Sequence, residues 1–203
     1  MIKEDERSDH LIRNLKRISP ENSIFNYEAG RKAFLSLGQG DMREWLKSLL
    51  PNTRIILEPK IIGLGIGIKY INGKLNKAIN KNSKDITESV RSLKNIPNTI
   101  PLKKRIEIRG VLYKDKNTSN KINKNEFIEI QKFKSQLKIL RFCAFQIFHC
   151  NINHFQSLQE LKNLNFEIPK TQFTRFTSDV DIYLQCWKEG KLFKSYPTNG
   201  IVL

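Results

Sequence analysis

From Leu64 to Tyr70 the chain alternates strictly, with Leu64, Ile66, Ile68 and Tyr70 on one side and Gly65, Gly67 and Lys69 on the other. A period of two belongs to a strand with one buried face, because successive side chains of a strand point to opposite sides of the sheet. Ile62 and Gly63 extend the two rows back by one step each. Asn72-Gly73 follows, a dipeptide suited to the type I′ turn, whose two central residues both need positive φ. The segment predicts a hairpin of strands 64–71 and 74–79, with another strand just ahead at 54–59.

Further elements follow the same logic. Phe34-Leu35-Ser36-Leu37 precedes a helical run, Met42 to Leu50, that Pro51 closes. Ile86, Val90 and Leu93 recur at helical spacing up to Pro97, and residues 105–113 alternate as a strand. Residues 114–125 have the Lys/Asn/Ser composition of a segment that stays unfolded, and a helix from Asn125 should bury Phe127, Ile130 and Phe133. Ile139 to Phe148 is an apolar strand, and Phe155, Leu158, Leu161 and Leu164 mark a helix. Ser178 with Asp181 reads as a capping box for a last helix, which carries Val180, Leu184 and Trp187 and ends at Gly190. Residues 1–24 are charged and read as an arm or surface helix, leaving residues 25–203 as one domain. The order of elements predicts an α+β fold, mostly antiparallel sheet with flanking helices.

The glycines exclude two nucleotide-binding devices. A dinucleotide fingerprint or a P-loop places its glycines between a strand and a helix, so that a helix N-terminus meets the phosphates. Here a second strand follows. Small residues on one strand face instead leave room for something lying close above it.

The balance of 36 Lys+Arg against 20 Asp+Glu, a net charge of +16, favours an anionic partner, nucleic acid first. Cys143, Cys150 and Cys186 are scattered and suit a reducing cytoplasm. Cys150 and His154 are spaced like half of a zinc site, but no second pair completes it. No apolar run approaches the ~20 residues of a membrane span, so a membrane partner is not expected.

Glu58-Pro59-Lys60-Ile61-Ile62-Gly63, with Tyr70 and Asn72-Gly73 after it, resembles the nucleotidyl-acceptor segment of bacterial NAD-dependent DNA ligases. That segment reads Glu-Pro-Lys-x-Asp-Gly-x-(Ala/Gly), then Tyr-x-(Asn/Asp)-Gly, and its lysine becomes adenylated. Other stretches resemble the same domain in the same order. Phe34 to Leu37 is similar to the Met-Leu-Ser-Leu that lies against the adenine. Lys77 to Pro97 is similar to the segment that opens with Thr-Arg-Gly-Asp-Gly. Glu107 to Tyr113 is similar to Glu-Val-Arg-Gly-Glu-Val-Phe, and Tyr196 to Leu203 to the strand containing Ile-Asp-Gly-Val-Val-Ile-Lys. The resemblance implies the DNA-ligase nucleotidyltransferase (ATP-grasp-like) adenylation-domain fold. It makes Lys60 the adenylation lysine and places Glu58, Ser36, Leu37, Gly63, Lys81, Glu107 and Arg109 around the nucleotide.

The departures from the family pattern fall on chemistry. A lysine that attacks an α-phosphate must do so as a neutral amine, and the charge that develops needs fixed cations and a divalent metal held by carboxylates. Ile62 stands where the motif has Asp, Val111 where it has the Glu after Arg-Gly, and Asn199 where it has the next Asp. Only Lys81 can stand in for the arginine of the Arg-Gly-Asp-Gly loop. The sequence shows no nicotinamide-binding segment ahead of Phe34, no zinc finger, no helix-hairpin-helix region, no oligonucleotide-binding fold and no phosphate-contacting lysine, whose position follows Leu203. The expected function is a catalytically impaired adenylation domain, with Lys60 a vestigial acceptor and a basic surface that binds nucleic acid, DNA favoured, in repair or replication. AMP or NAD and Mg²⁺ are expected only if activity is retained, and no resident metal is assigned. The alternatives are residual adenylyl transfer through Lys60, and a protein-interaction module without ligand. If the site has closed, Ile62 and Val111 should both be packed.

Overall fold

The computed structural model describes residues 42–114, 139–148 and 152–203. The N-terminal arm, Ser36 and Leu37, the stretch 115–125, the helix from Asn125 and Cys150 lie outside the described residues. In chain order the elements are α1 (Met42–Ser48), β1 (Ile55–Ile61), β2 (Leu64–Ile71), β3 (Lys74–Asn80), α2 (Thr87–Arg91), β4 (Ile106–Lys114), β5 (Leu140–Ile147), α3 (His154–Asn163), β6 (Gln172–Thr174), α4 (Thr177–Lys188) and β7 (Thr198–Val202). All sheet pairings among the described residues are antiparallel, so the fold is α+β. The chain forms two compact units, one built on Gly63–Ile168, the other on Leu35–Ile62 with Pro169–Leu203.

The first unit holds a four-stranded sheet in the order β3-β2-β4-β5. The hairpin between β2 and β3 has the predicted turn, with φ of 50° at Asn72 and 77° at Gly73. Leu64, Ile66, Ile68 and Tyr70 are buried against Ile106, Ile108, Leu112 and Phe142, and against Val90 of α2 and Leu161 of α3. Phe166 meets Tyr70 and Phe142 edge-on, with ring centroids 6.1 and 6.2 Å away. A true capping box opens α3: the Gln156 N–H donates to the Asn153 side chain, and the Asn153 N–H donates to that of Gln156. Leu158, Leu161 and Leu164 are buried as expected, whereas Phe155, in the first turn, is 42% exposed.

The row that includes Ile62 is broken. β2 starts at Leu64, and Ile62 is 40% exposed. Its N–H donates to the Pro197 carbonyl at 2.6 Å, so Ile62 follows the pairing of β1 and not the pleat of β2.

Two buried tyrosines give this unit a defined alkaline limit. The Tyr70 hydroxyl donates to the Pro97 carbonyl and that of Tyr113 to Glu167. Burial pushes both above a tyrosine's ordinary value of 10.0, helped at Tyr113 by the Glu167 hydrogen bond and charge. Above about pH 10 the unfolded chain loses these protons while the folded one keeps them, so stability falls as pH rises. The melting temperature should drop above about pH 10, and the drop should be shallower in Tyr70→Phe and Tyr113→Phe.

The second unit pairs its strands in the order β6-β1-β7. Ile55 and Leu57 of β1 bury against Val180 of α4, with Met42 and Leu46 of α1 packed alongside. The expected Ser178 capping box is absent: α4 starts at Thr177, and its N-cap Phe176 makes no side-chain cap bond. Thr174 organises this helix start instead. Its hydroxyl accepts from the Phe176 N–H at 3.0 Å and donates to the Asp179 carboxylate at 2.6 Å, which leaves Ser178 inside the first turn. At the other end Gly190, with φ of 67°, ends the helix as predicted. No helix among the described residues is long and apolar enough to cross a membrane.

Candidate functional site

Lys60 lies near the end of β1, at an irregularity that aims it outward. Glu58 faces Val202 and Pro59 faces Ile201 across the pair with β7, but the next match is Ile61 with Thr198. One residue of β1, Lys60, is thus opposed by two of β7, Asn199 and Gly200. A bulge of this kind interrupts the ladder and redirects a side chain. It also accommodates Pro59, which has no N–H to give to the ladder. Lys60 is exposed, and its stem runs across Gly200, where an added Cβ would lie 3.6 Å from the lysine Cδ. Glu58, two residues earlier on the same strand face, is buried. In this unit the β1–β7 pairing places Lys60, the buried Glu58, the exposed Asn199 and the exposed Ile62 along one short stretch of paired backbone.

The other candidates belong to the first unit. Lys81 sits exposed in a tight turn after β3, held by the buried Asn80. The Asn80 side-chain oxygen accepts from the N–H groups of Asn82 and Lys84 at 2.9 and 3.0 Å, and Ser83 takes φ of 60°. Glu107 and Arg109 share one face of β4. Glu107 is fully buried and accepts from the Arg105 guanidinium, with Nε at 3.2 Å. Arg109 donates to the Gln146 side chain at 2.9 Å, and its guanidinium carbon stands 5.6 Å from the Phe145 ring centre. Burial pushes the Arg109 guanidinium below its ordinary value. In the β2–β4 register Arg109 lies opposite Gly67.

Gly63 has a packing reason. A methyl group there would collide with the Leu112 carbonyl oxygen and the Val111 side chain. Val111 is partly buried while Ile62 is exposed, so the packing expected of a closed site is not met at Ile62.

The donors do not fit a divalent metal held as the resemblance requires, since Ile62, Val111 and Asn199 offer no carboxylate. Among the described residues no group of three or more His, Cys, Asp or Glu could hold a metal ion. The expectations also missed a group of cations on β2, β3 and the approach to β4. Lys69 faces Lys77 on one side and Glu107 on the other. The alternation placed Lys69 on the glycine face, but only the register shows what stands beside it.

Comparison with known proteins gives one direction. The model of the NAD-dependent DNA ligase adenylation domain matches residues 32–136. The DNA ligase of Metamycoplasma arthritidis is 30% identical over 185 residues, covering 78% of this chain and 28% of the relative. The DNA ligase of Clostridioides difficile is 25% identical over 232 aligned positions, covering 93% of this chain and 34% of the relative. The chain therefore spans about a third or less of the length of these curated relatives. Among solved structures, the ATP-dependent DNA ligase from bacteriophage T7 in complex with ATP aligns with a TM-score of 0.48 and 11% identity, over 76% of this chain and 58% of that one.

Proposed function

We infer, from a chain that belongs to the NAD-dependent DNA ligase adenylation-domain family, that it keeps a basic nucleic-acid-binding surface and has lost adenylyl transfer to Lys60. The observation that carries this is the composition of the bulge. Lys60 is exposed on it, while the two neighbouring positions that the resemblance makes acidic hold an exposed Ile62 and an exposed Asn199. An aliphatic group and a neutral amide can neither share a negative charge with a metal nor take a proton from the lysine. Val111 removes a further carboxylate from β4. Mg²⁺ would supply charge stabilisation at the α-phosphate, but the residues present do not fit it.

The net charge of +16 supports an anionic partner, the DNA ligase relatives favour DNA with a place in repair or replication, and the scattered cysteines suit a cytoplasmic location. One observation favours a second reading, residual transfer: Lys60 remains exposed and Glu58 remains two residues before it.

Two titrations test the reading together. Fluorescence anisotropy with a nicked duplex should show binding at low salt, and calorimetry with NAD⁺ and AMP should show no saturable heat. Nucleotide binding that Lys60→Ala abolishes would favour the second reading. No duplex binding at low salt would point to a protein partner.

A further inference from the structure

We propose that Lys69, Lys77 and Arg105, on β2, β3 and the approach to β4 of the four-stranded sheet, form a site for the sugar–phosphate backbone of nucleic acid; this rests on the nucleic-acid reading above. The grouping comes from strand register. Lys69, on the central strand β2, lies directly opposite Lys77 of β3 and, on its other side, opposite Glu107 of β4. Arg105, two residues before Glu107, donates to that carboxylate. Lys69 and Arg105 therefore flank one fully buried carboxylate, and Lys77 stands one strand further off, beyond Lys69.

The arrangement is costly for a structural device. Like charges directly opposite on neighbouring strands destabilise the pair. Lys77 alone has a simple role, since β3 is an edge strand and a lysine there discourages pairing with other chains. Lys69 is on an inner strand, is partly buried and guards no edge. Its ammonium is disfavoured first by burial and then by Arg105; Glu107 opposes them, and Lys77 adds the smallest repulsion. An anion beside Lys69 would offset its repulsion by Arg105 and Lys77.

The shape favours a polyanion strand over a mononucleotide. Lys69 and Lys77 stand at strand positions and Arg105 just before β4, and among the described residues no glycine-rich turn or long helix start lies beside them in the register to wrap a terminal phosphate. Arg109 continues the same face of β4 one alternate position beyond Glu107, about 7 Å along. Such a row suits a backbone that passes across it.

The test uses the full chain and a fluorescein-labelled duplex, titrated by anisotropy over a series of KCl concentrations. Lys69→Gln with Lys77→Gln should reduce the slope of log K against log[salt] by about 1.8, at roughly 0.9 per phosphate contact. At 0.1 M salt the affinity should fall by roughly eightfold per contact, equally for unrelated sequences. Lys69→Arg with Lys77→Arg should keep the wild-type slope. The control pair Lys94→Gln with Lys162→Gln removes the same charge from exposed positions and should leave the slope nearly unchanged. Wild-type binding with an unaltered slope in the Gln pair would overturn the site and leave the nucleic-acid reading standing. Equal losses in both Gln pairs would also overturn it, by showing a diffuse field. No wild-type binding at low salt would remove the site together with the reading it rests on. If the Gln pair fails to melt cooperatively, Lys77→Gln alone, on the edge strand, decides the question with an expected slope change of about 0.9.

Discussion

Gly110→Ala should destabilise the protein by about 1–3 kcal/mol, and Phe142→Ala by about 3–5 kcal/mol. Gly110 lies on β4 opposite Ala144, beside a register shift between Arg109 and Gly110. An added methyl would strike the Phe142 ring and come within 2.5 Å of the Cys143 carbonyl oxygen. The ring cannot easily move aside, because Phe142 is fully buried and held against Phe166. The backbone oxygen cannot move without disturbing the ladder. Removing the ring relieves only the first collision, so the double variant should be more stable than the sum of the singles predicts, with a coupling in the 0.5–3 kcal/mol range of contacting residues. Urea midpoints at constant m-value measure this. Strict additivity would mean that the glycine does not meet the ring.

That result bears on function because Gly110 follows Arg109 in the Glu-Ile-Arg-Gly stretch. The glycine lets β5 approach β4, and the approach sets Arg109 beside Gln146. A motif that reads as chemistry in the sequence thus also serves packing. Gly63 shows the same, since its clearance is against Leu112 and Val111.

The hairpin, the α+β class and the buried row of β2 were legible because each is local. Asn72-Gly73 and the period of two need no knowledge of distant residues. Ile62 was misplaced because periodicity does not show where one strand hands over to the next. Its position is set by a bond to Pro197, far along the chain. The Ser178 capping box was misread because Thr174, before the helix, does the same work through its hydroxyl. The bulge at Lys60 and the facing of Lys69 with Lys77 are matters of register. Register is fixed by the summed pairing of whole strands, which no single motif reports.

The largest functional effect is expected at Lys60. Adenylation of Lys60 would form a bond between its Nζ and the α-phosphorus of NAD⁺, expel nicotinamide mononucleotide and release the lysine proton. Each preorganised group that stabilises such a transition state is worth roughly 10²–10³ in rate. Ile62, Asn199 and Val111 together leave several of those groups missing, so transfer should fall below detection. The direct measurement is the intact mass of the protein after incubation with NAD⁺ and Mg²⁺, with Lys60→Arg alongside. The account predicts identical treated and untreated masses for both proteins. A stoichiometric AMP adduct on the wild type, absent from Lys60→Arg, would contradict it.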